Sequence, residues 1–435
     1  MPATGSSKYG RSGRWESTEI PLAPDSIGAA RAAEAAARQS YGRLIAFLAA
    51  RTRDVAGAED ALSEAFAAAL AEWPVRGVPR SPDAWLLTVA RRRLVDAARR
   101  RRLDQAAAEH FGWLAELAAD EDDERVVPDR RLGLLFACAH PSIDHGVRAP
   151  LMLQLVLGFD AATIASAFLV APATMGQRLT RAKAKIREAG ISLEVPEHGA
   201  LRERLDAVLD AIYAAYTEGW SDPQGADARR RNLADEAIWL GRMLASLLPD
   251  EGEALGLLSL MLHAQARADA RRSPSGEYVP LSEQDPTRWN TAMIDEAEAL
   301  LLQASRCDSA SGRYQLEAAV QSAHAVRRRT GRADWVAIEQ LYDALCAITG
   351  SPVAALKRAV ALSETQGPSA GLAALDQLAG DARLAQYQPY WAARADLLIR
   401  TGAFDAAWDA YQLAIGLEHD AAVRRFLQQR AAAAR

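Results

Sequence analysis

From Ala29 to the C-terminus the apolar residues of this chain recur three and four positions apart, and almost nowhere do they alternate. That spacing puts them on one face of an α-helix and leaves no half-buried strand to build a sheet from. Glycine and proline interrupt the pattern about every helix length, at Pro74 to Pro82, Pro172, Pro196 to Gly199, Gly219 to Gly225, Pro249, Ser273 to Pro286, Gly312, Gly331, Gly350, Gly367 and Gly402. The expected fold is all-α. Half of the 435 residues are hydrophobic but only 6% are aromatic, so the cores must be built mainly from Ala and Leu. The length suits two or three domains.

Two stretches concentrate charge. Between Arg91 and Arg102 seven arginines stand against one acid, Asp96, whereas Glu116 to Glu124 holds six acids and no base. The net charge of −5 hides this asymmetry; the local sign is the informative quantity. A solvated helix face is the ordinary explanation of a charge run, but the arginine run exceeds what solubility asks and points to nucleic acid.

The stretch Gly158 to Ala189 reads as two helices with a tight joint. Ile164, Ala165 and Phe168 mark the first. Pro172 suits the first turn of the second, where a missing N–H costs nothing. Met175, Leu179, Ala182 and Ile186 form the apolar side of that second helix. Its other side carries Thr174, Gln177, Arg178, Thr180, Arg181, Lys183, Lys185 and Arg187. A short supporting helix followed by a helix with a polar, basic face is what a DNA-binding helix-turn-helix requires. Any helical hairpin with a solvated basic face would share the pattern.

Upstream, Tyr41, Leu44, Ile45 and Leu48 line one helix, and Ala58, Leu62, Phe66, Ala69 and Leu70 the next. Pro74, Gly77, Pro79 and Pro82 are then expected to force a loop. Ser81 and Pro82 open a third helix with Trp85, Leu86, Val89, Ala90, Leu94 and Ala97 inside.

GAEDALSEAFAAALAEW (residues 57–73) followed by SPDAWLLTVARRRLVDAARRR (residues 81–101) resembles the second conserved region of extracytoplasmic-function (ECF) sigma factors. Glu59, Asp60, Glu64, Phe66, Trp85, Leu86, Ala90, Arg91, Asp96, Arg99 and Arg100 fall in register. Gly57, Ser63 and Arg92 replace the usual Asp, Gln and Asn. Pro172 to Ile186 resembles the helix-turn-helix of the same family. The resemblance implies two small helical sigma domains, residues 29–103 for the −10 element and core RNA polymerase and residues 131–195 for the −35 element. A flexible tail (1–28) precedes them and an acidic linker (104–130) joins them.

It further implies roles for residues. Gln177, Thr180 and Arg181 would face base edges, with Arg178, Lys183 and Lys185 nearer phosphates and Thr174 also on the recognition helix. Arg76, Arg80, Trp85, Arg91, Arg93, Arg99 and Arg100 would serve the −10 region. Glu59, Asp60, Leu62, Glu64 and Phe66 would bind the β′ clamp helices, and the β flap would receive the second domain. Core RNA polymerase and promoter DNA are the implied partners.

Beyond residue 200 the helical pattern continues, as an extension domain (200–330) and repeats (331–435). Residues 391–417 match a tetratricopeptide (TPR) repeat, with Trp391, Ala395, Leu398, Gly402, Phe404, Ala407, Tyr411, Ala414 and Leu417 at packing positions. The whole resembles the ECF subgroup with a TPR-like C-terminal extension, which implies regulation by that extension through a protein or ligand. Glu218, Trp220, Asp222, Glu283, Gln284, Asp285 and Trp289 either line a pocket or belong to a loop folded back on the sigma domains.

No nucleophile elbow, metalloprotease motif, P-loop or dinucleotide fingerprint occurs, so no enzyme and no cofactor are expected. Cys138, His140 and His145 offer three metal donors without a fourth, and no metal is expected. Three dispersed cysteines, a polar N-terminus and the lack of a long apolar run point to a soluble cytoplasmic protein.

Overall fold

The computed structural model describes residues 24–104, 129–168, 170–196, 198–220, 228–307 and 311–433. The expected linker core (105–128) and most of the expected tail lie outside them. The chain is all-α, and the described residues contain no strand, only an isolated bridge between Arg272 and Tyr278. It divides into two compact units, residues 1–44 with 57–127, and residues 45–56 with 128–435.

The first unit is built from α1 (Pro24–Thr52) as far as residue 44, α2 (Val55–Arg76) from residue 57 and α3 (Pro82–Asp104). Asp83, near the start of α3, takes the hydroxyl of Ser40 at 2.7 Å and pairs with Arg43, which ties α3 to α1. Tyr41 stacks on Phe66 with ring centroids 6.4 Å apart, and Trp73 meets Trp85 edge-on at 5.5 Å. Contrary to the sequence expectation, Pro74 does not end α2. It sits in the last turn, where it removes only one backbone donor. Gly77 does end it, donating to the Trp73 carbonyl at 3.0 Å from a left-handed φ of 82° that glycine adopts without strain.

The second unit begins with α4 (Arg131–Cys138), α5 (His145–Leu157), α6 (Ala161–Ala167) and α7 (Pro172–Glu188). Asp144 caps α5 by accepting from the Gly146 N–H at 3.0 Å. His140 accepts from the Ser142 N–H at 3.1 Å, which places its ring in the turn before that cap. The rest of the unit is a run of helices, most packed on their neighbours in sequence, with α12 packed mainly on α10: α8 (His198–Trp220), α9 (Ala228–Leu247), α10 (Gly252–Gln265), α11 (Thr291–Ala304), α12 (Arg313–Ala325), α13 (Trp335–Thr349), α14 (Pro352–Thr365), α15 (Pro368–Asp376), α16 (Gln388–Arg400), α17 (Phe404–Leu417) and α18 (Ala421–Ala433).

Helix α10 is the axis of this array, buried from Ala254 to His263. A side chain at Gly256 would put its Cβ 2.6 Å from the Gln315 backbone nitrogen, so glycine is what lets the start of α12 approach. Glu253 accepts the N–H groups of Tyr314 and Gln315, both at 2.9 Å, supplying α12 with a carboxylate at its N-terminus.

The irregular segment between α10 and α11 has a structural task. Arg272 pairs with Asp420, Arg425 reaches Glu277 at 3.4 Å, and Tyr278 packs edge-on against Phe426 at 5.5 Å. The segment clasps α18, nearly 150 residues later in the chain.

Candidate nucleic-acid interface

Helix α7 has the two faces that its sequence dictates. Met175, Leu179, Ala182 and Ile186 are buried, whereas Thr174, Gln177, Arg178, Thr180, Arg181 and Lys185 are exposed and Lys183 is half-buried. At 3.6 residues per turn the exposed set divides into two flanks. Thr174, Arg178, Arg181 and Lys185 fall on one, Thr180 and Lys183 on the other, and Gln177 lies between.

The first flank opens onto a groove of about 470 Å³ whose opposite wall is Ser142 to Asp144 and Val147, at the N-terminus of α5. Arg178, Arg181 and Lys185 make no ion pair among the described residues. Three free cations therefore converge on a helix N-terminus against one carboxylate, Asp144. That arrangement suits a phosphate, because the helix end adds partial positive charge and free N–H groups. Sequence reasoning found the three cations but not the second wall. The run Asp144-His145-Gly146, with its N-cap aspartate, was the available signal.

The first unit is arranged differently from the sequence expectation in several places. Arg93 does not stand free: it pairs with Glu64 at 3.2 Å, so a residue assigned to DNA and one assigned to polymerase hold each other. Arg76 pairs with Glu72 one turn earlier, at 2.9 Å, and Arg80 is exposed. Arg91 is half-buried, and the side chains of Arg99 and Arg100 lie outside the described residues. Trp85 is half-buried against Trp73.

On α2, Asp60 and Glu64 are exposed and Glu59 is half-buried. Leu62 is fully buried and cannot meet a partner, because its position on the helix points it into the bundle with Ala58, Ala65 and Ala69. Leu70, expected inside, is instead 53% exposed and shares the outer face with Asp60, Ser63 and Glu64. The Tyr41 phenol beneath this face is pushed up by burial and by the charges of Glu59 and Asp60.

Of the seven polar and aromatic residues singled out between Glu218 and Trp289, those that the structure describes have separate placements. Trp289 is buried in a cluster with Ala266, Ala270, Ile294 and Ala325, and Gln284 is buried with its amide on the Val279 carbonyl. Asp285 caps a short turn through the Thr287 N–H at 2.9 Å. Glu218 is half-buried near the end of α8; Asp222 and the side chain of Trp220 lie outside the described residues. Phe404, assigned a packing position, is 53% exposed.

Comparison with known proteins decides the class of the first unit. Residues 37–103 match Sigma-70 region 2. The chain carries a sigma-70 region 2 domain. The matched segment spans most of α1, all of α2 and nearly all of α3, the elements that the Tyr41–Phe66 and Trp73–Trp85 contacts hold together. Residues 204–305, from α8 to the end of α11, match a family of unknown function, DUF6596. Over 400 residues the chain is 38% identical to "Uncharacterized protein R00370" of Rhizobium meliloti (strain 1021), covering 90% of this chain and 92% of that one, and the two belong to one family. No solved structure matches. Among the described residues no helix is long and apolar enough to cross a membrane.

Proposed function

We propose that this chain is a sigma factor of the ECF type: it binds core RNA polymerase, recognises promoters at two elements and starts transcription, and is not an enzyme. The observation that carries the reading is a sigma-70 region 2 domain followed, in the same chain, by a helix pair whose second helix exposes Gln177, Thr180 and three unpaired cations, Arg178, Arg181 and Lys185. Gln177, Thr180 and Arg181 read base edges at −35, where each good contact discriminates by about 1–3 kcal/mol. Arg178 and Lys185 hold a backbone phosphate against the N-terminus of α5. Arg76, Arg80 and Arg91 serve the −10 strand. The outer face of α2, with Asp60, Glu64 and Leu70, docks on the β′ clamp helices. The helices beyond α8 form a TPR-like array that regulates these activities.

The test is in vitro transcription with purified core RNA polymerase and the full-length protein on a genomic promoter library. The expected result is a set of transcripts that share −35 and −10 sequences and disappear with Arg181→Ala and Gln177→Ala in combination. Duplex binding by the protein alone, with no transcripts when core polymerase is added, would refute the sigma reading in favour of a one-component regulator.

A further inference from the structure

Helices α8, α12, α13 and α14 surround a cavity of about 490 Å³, within the size range of small-molecule sites. Val320, Leu345 and the rings of Tyr213 and Tyr342 give it an apolar wall. Its polar atoms are unusually one-sided. The hydroxyls of Tyr213, Tyr342 and Ser351 make no hydrogen bond among the described residues. Burial pushes both phenols up, Tyr213 to about 12, so each keeps its proton to donate.

Gln321 is oriented by its neighbour. Arg267 can only donate, and it gives one N–H to the Gln321 side-chain oxygen, so the amide nitrogen of Gln321 is the group left over. Arg267 itself is largely buried. It also donates to the His263 carbonyl, at 3.2 Å, and no carboxylate pairs with it among the described residues. Burial lowers its pKa only to about 10, so it stays cationic. Lys357, exposed on the cavity wall, makes no ion pair among the described residues. His324 adds no charge at neutral pH, since burial and the nearby Arg267 and Lys357 depress it to about 4. The one acid on the wall, Glu317, is tied to Arg313 at 2.8 Å.

The cavity thus offers several donors, an apolar body and one unpaired cation on its wall, the exposed Lys357, with the buried charge of Arg267 lying behind Gln321. A buried cation without a counter-ion is unfavourable, and a ligand that supplies the negative charge relieves it. We propose that this cavity binds a small organic anion, a carboxylate or phosphate carried on an aromatic or aliphatic body. The inference stands independently of promoter recognition.

The test uses the full-length protein and two fluorescent probes, 8-anilinonaphthalene-1-sulfonate and its uncharged counterpart N-phenyl-1-naphthylamine. The expected result is saturable binding of the sulfonate at one site, weakened at least tenfold by Lys357→Glu and by Gln321→Glu, with binding of the neutral probe changed less than twofold. Gln321→Glu places a carboxylate beside Arg267, so its thermal midpoint should equal or exceed that of the parent, and lost binding then cannot be lost folding. No sulfonate binding, binding untouched by either substitution, or parallel loss of both probes would each overturn the proposal.

Discussion

The clasp between Arg272 and Asp420 lets the closure of the helical array be measured. The two side chains are 25% and 14% exposed, between the surface and buried cases. Exposed pairs contribute about 0–1 kcal/mol and breaking a buried one costs about 3–5 kcal/mol, so this pair should be near 2 kcal/mol. Asp420 does a second job, accepting from the Ala422 and Val423 N–H groups at 2.8 and 3.3 Å at the start of α18. Asparagine keeps that cap, whereas alanine loses about a further 1 kcal/mol with it. Asp420→Asn therefore isolates the ion pair. A protein of this size need not unfold in one step, so the readout is hydrogen exchange of residues 421–433 rather than a global midpoint. A loss of about 2 kcal/mol should speed their exchange about thirtyfold, at 1.4 kcal/mol per factor of ten. Asp420→Ala should be faster still. Combined with Arg272→Met, Asp420→Asn should add little, since the pair is already broken. If the two substitutions add fully, to within about 0.5 kcal/mol, the contact does not hold the array closed.

Three further outcomes are expected. Leu62→Ala should destabilise the first unit by about 2–5 kcal/mol, read by denaturant unfolding, whereas Leu70→Ala should change stability by less than about 0.5 kcal/mol and weaken core polymerase binding in a pull-down titration. His263 and His324 have pKa values depressed to about 3 and about 4, mainly by burial. The unfolded chain then takes up their protons first, so stability should fall by about 1.4 kcal/mol per histidine for each pH unit between 6.5 and 4, and His263→Leu should flatten a thermal-midpoint profile over that window. Replacing Arg178 and Lys185 by alanine should reduce the salt slope of duplex binding by about 1.8, at about 0.9 per phosphate contact, while Thr180→Ala leaves it unchanged.

Local pattern made much of this legible in the sequence. The buried quartet of α7 recurs every three or four residues, and Gly77, Gly350 and Gly402 each end a helix in the left-handed conformation that glycine adopts without strain. Leu62 and Leu70 were both read as inner residues because hydrophobicity does not report helix phase; their spacing from Ala58 and Ala65 does, and it separates them. Pro74 misled because one missing donor in a last turn costs little. The pairing of Arg93 with Glu64 and the clasp on α18 depend on which distant elements meet, and no window of sequence contains that. The cavity is hidden for the same reason: Tyr213 and Lys357 are ordinary residues of their own helices until the array brings them together.

Within the second unit, the helix pair and the array are not separate bodies joined by a hinge. Arg204 of α8 donates to the Phe136 carbonyl at 3.0 Å and lies over that ring, while Arg131 lies over Trp239 of α9. The α4 backbone approaches residue 193 so closely at Gly133 that a Cβ there would collide with the Leu193 carbonyl. These contacts leave the polar face of α7 exposed within this unit. They also bear on how regulation is to be tested. Cutting the chain near Val195 would strip α8 and α9 from α4, α5 and α6, so a loss of activity would report exposed apolar surface as readily as a missing regulator. Helix α8 carries Arg204 at one place and Tyr213 nine residues on, about 13 Å along a rigid rod. An anion in the cavity could alter the DNA-reading half only by favouring one arrangement of that rod over another, and tight binding without such a preference would shift nothing. Substituting Arg204 in the full-length protein asks that question directly, because it loosens one end of α8 and leaves the cavity walls in place.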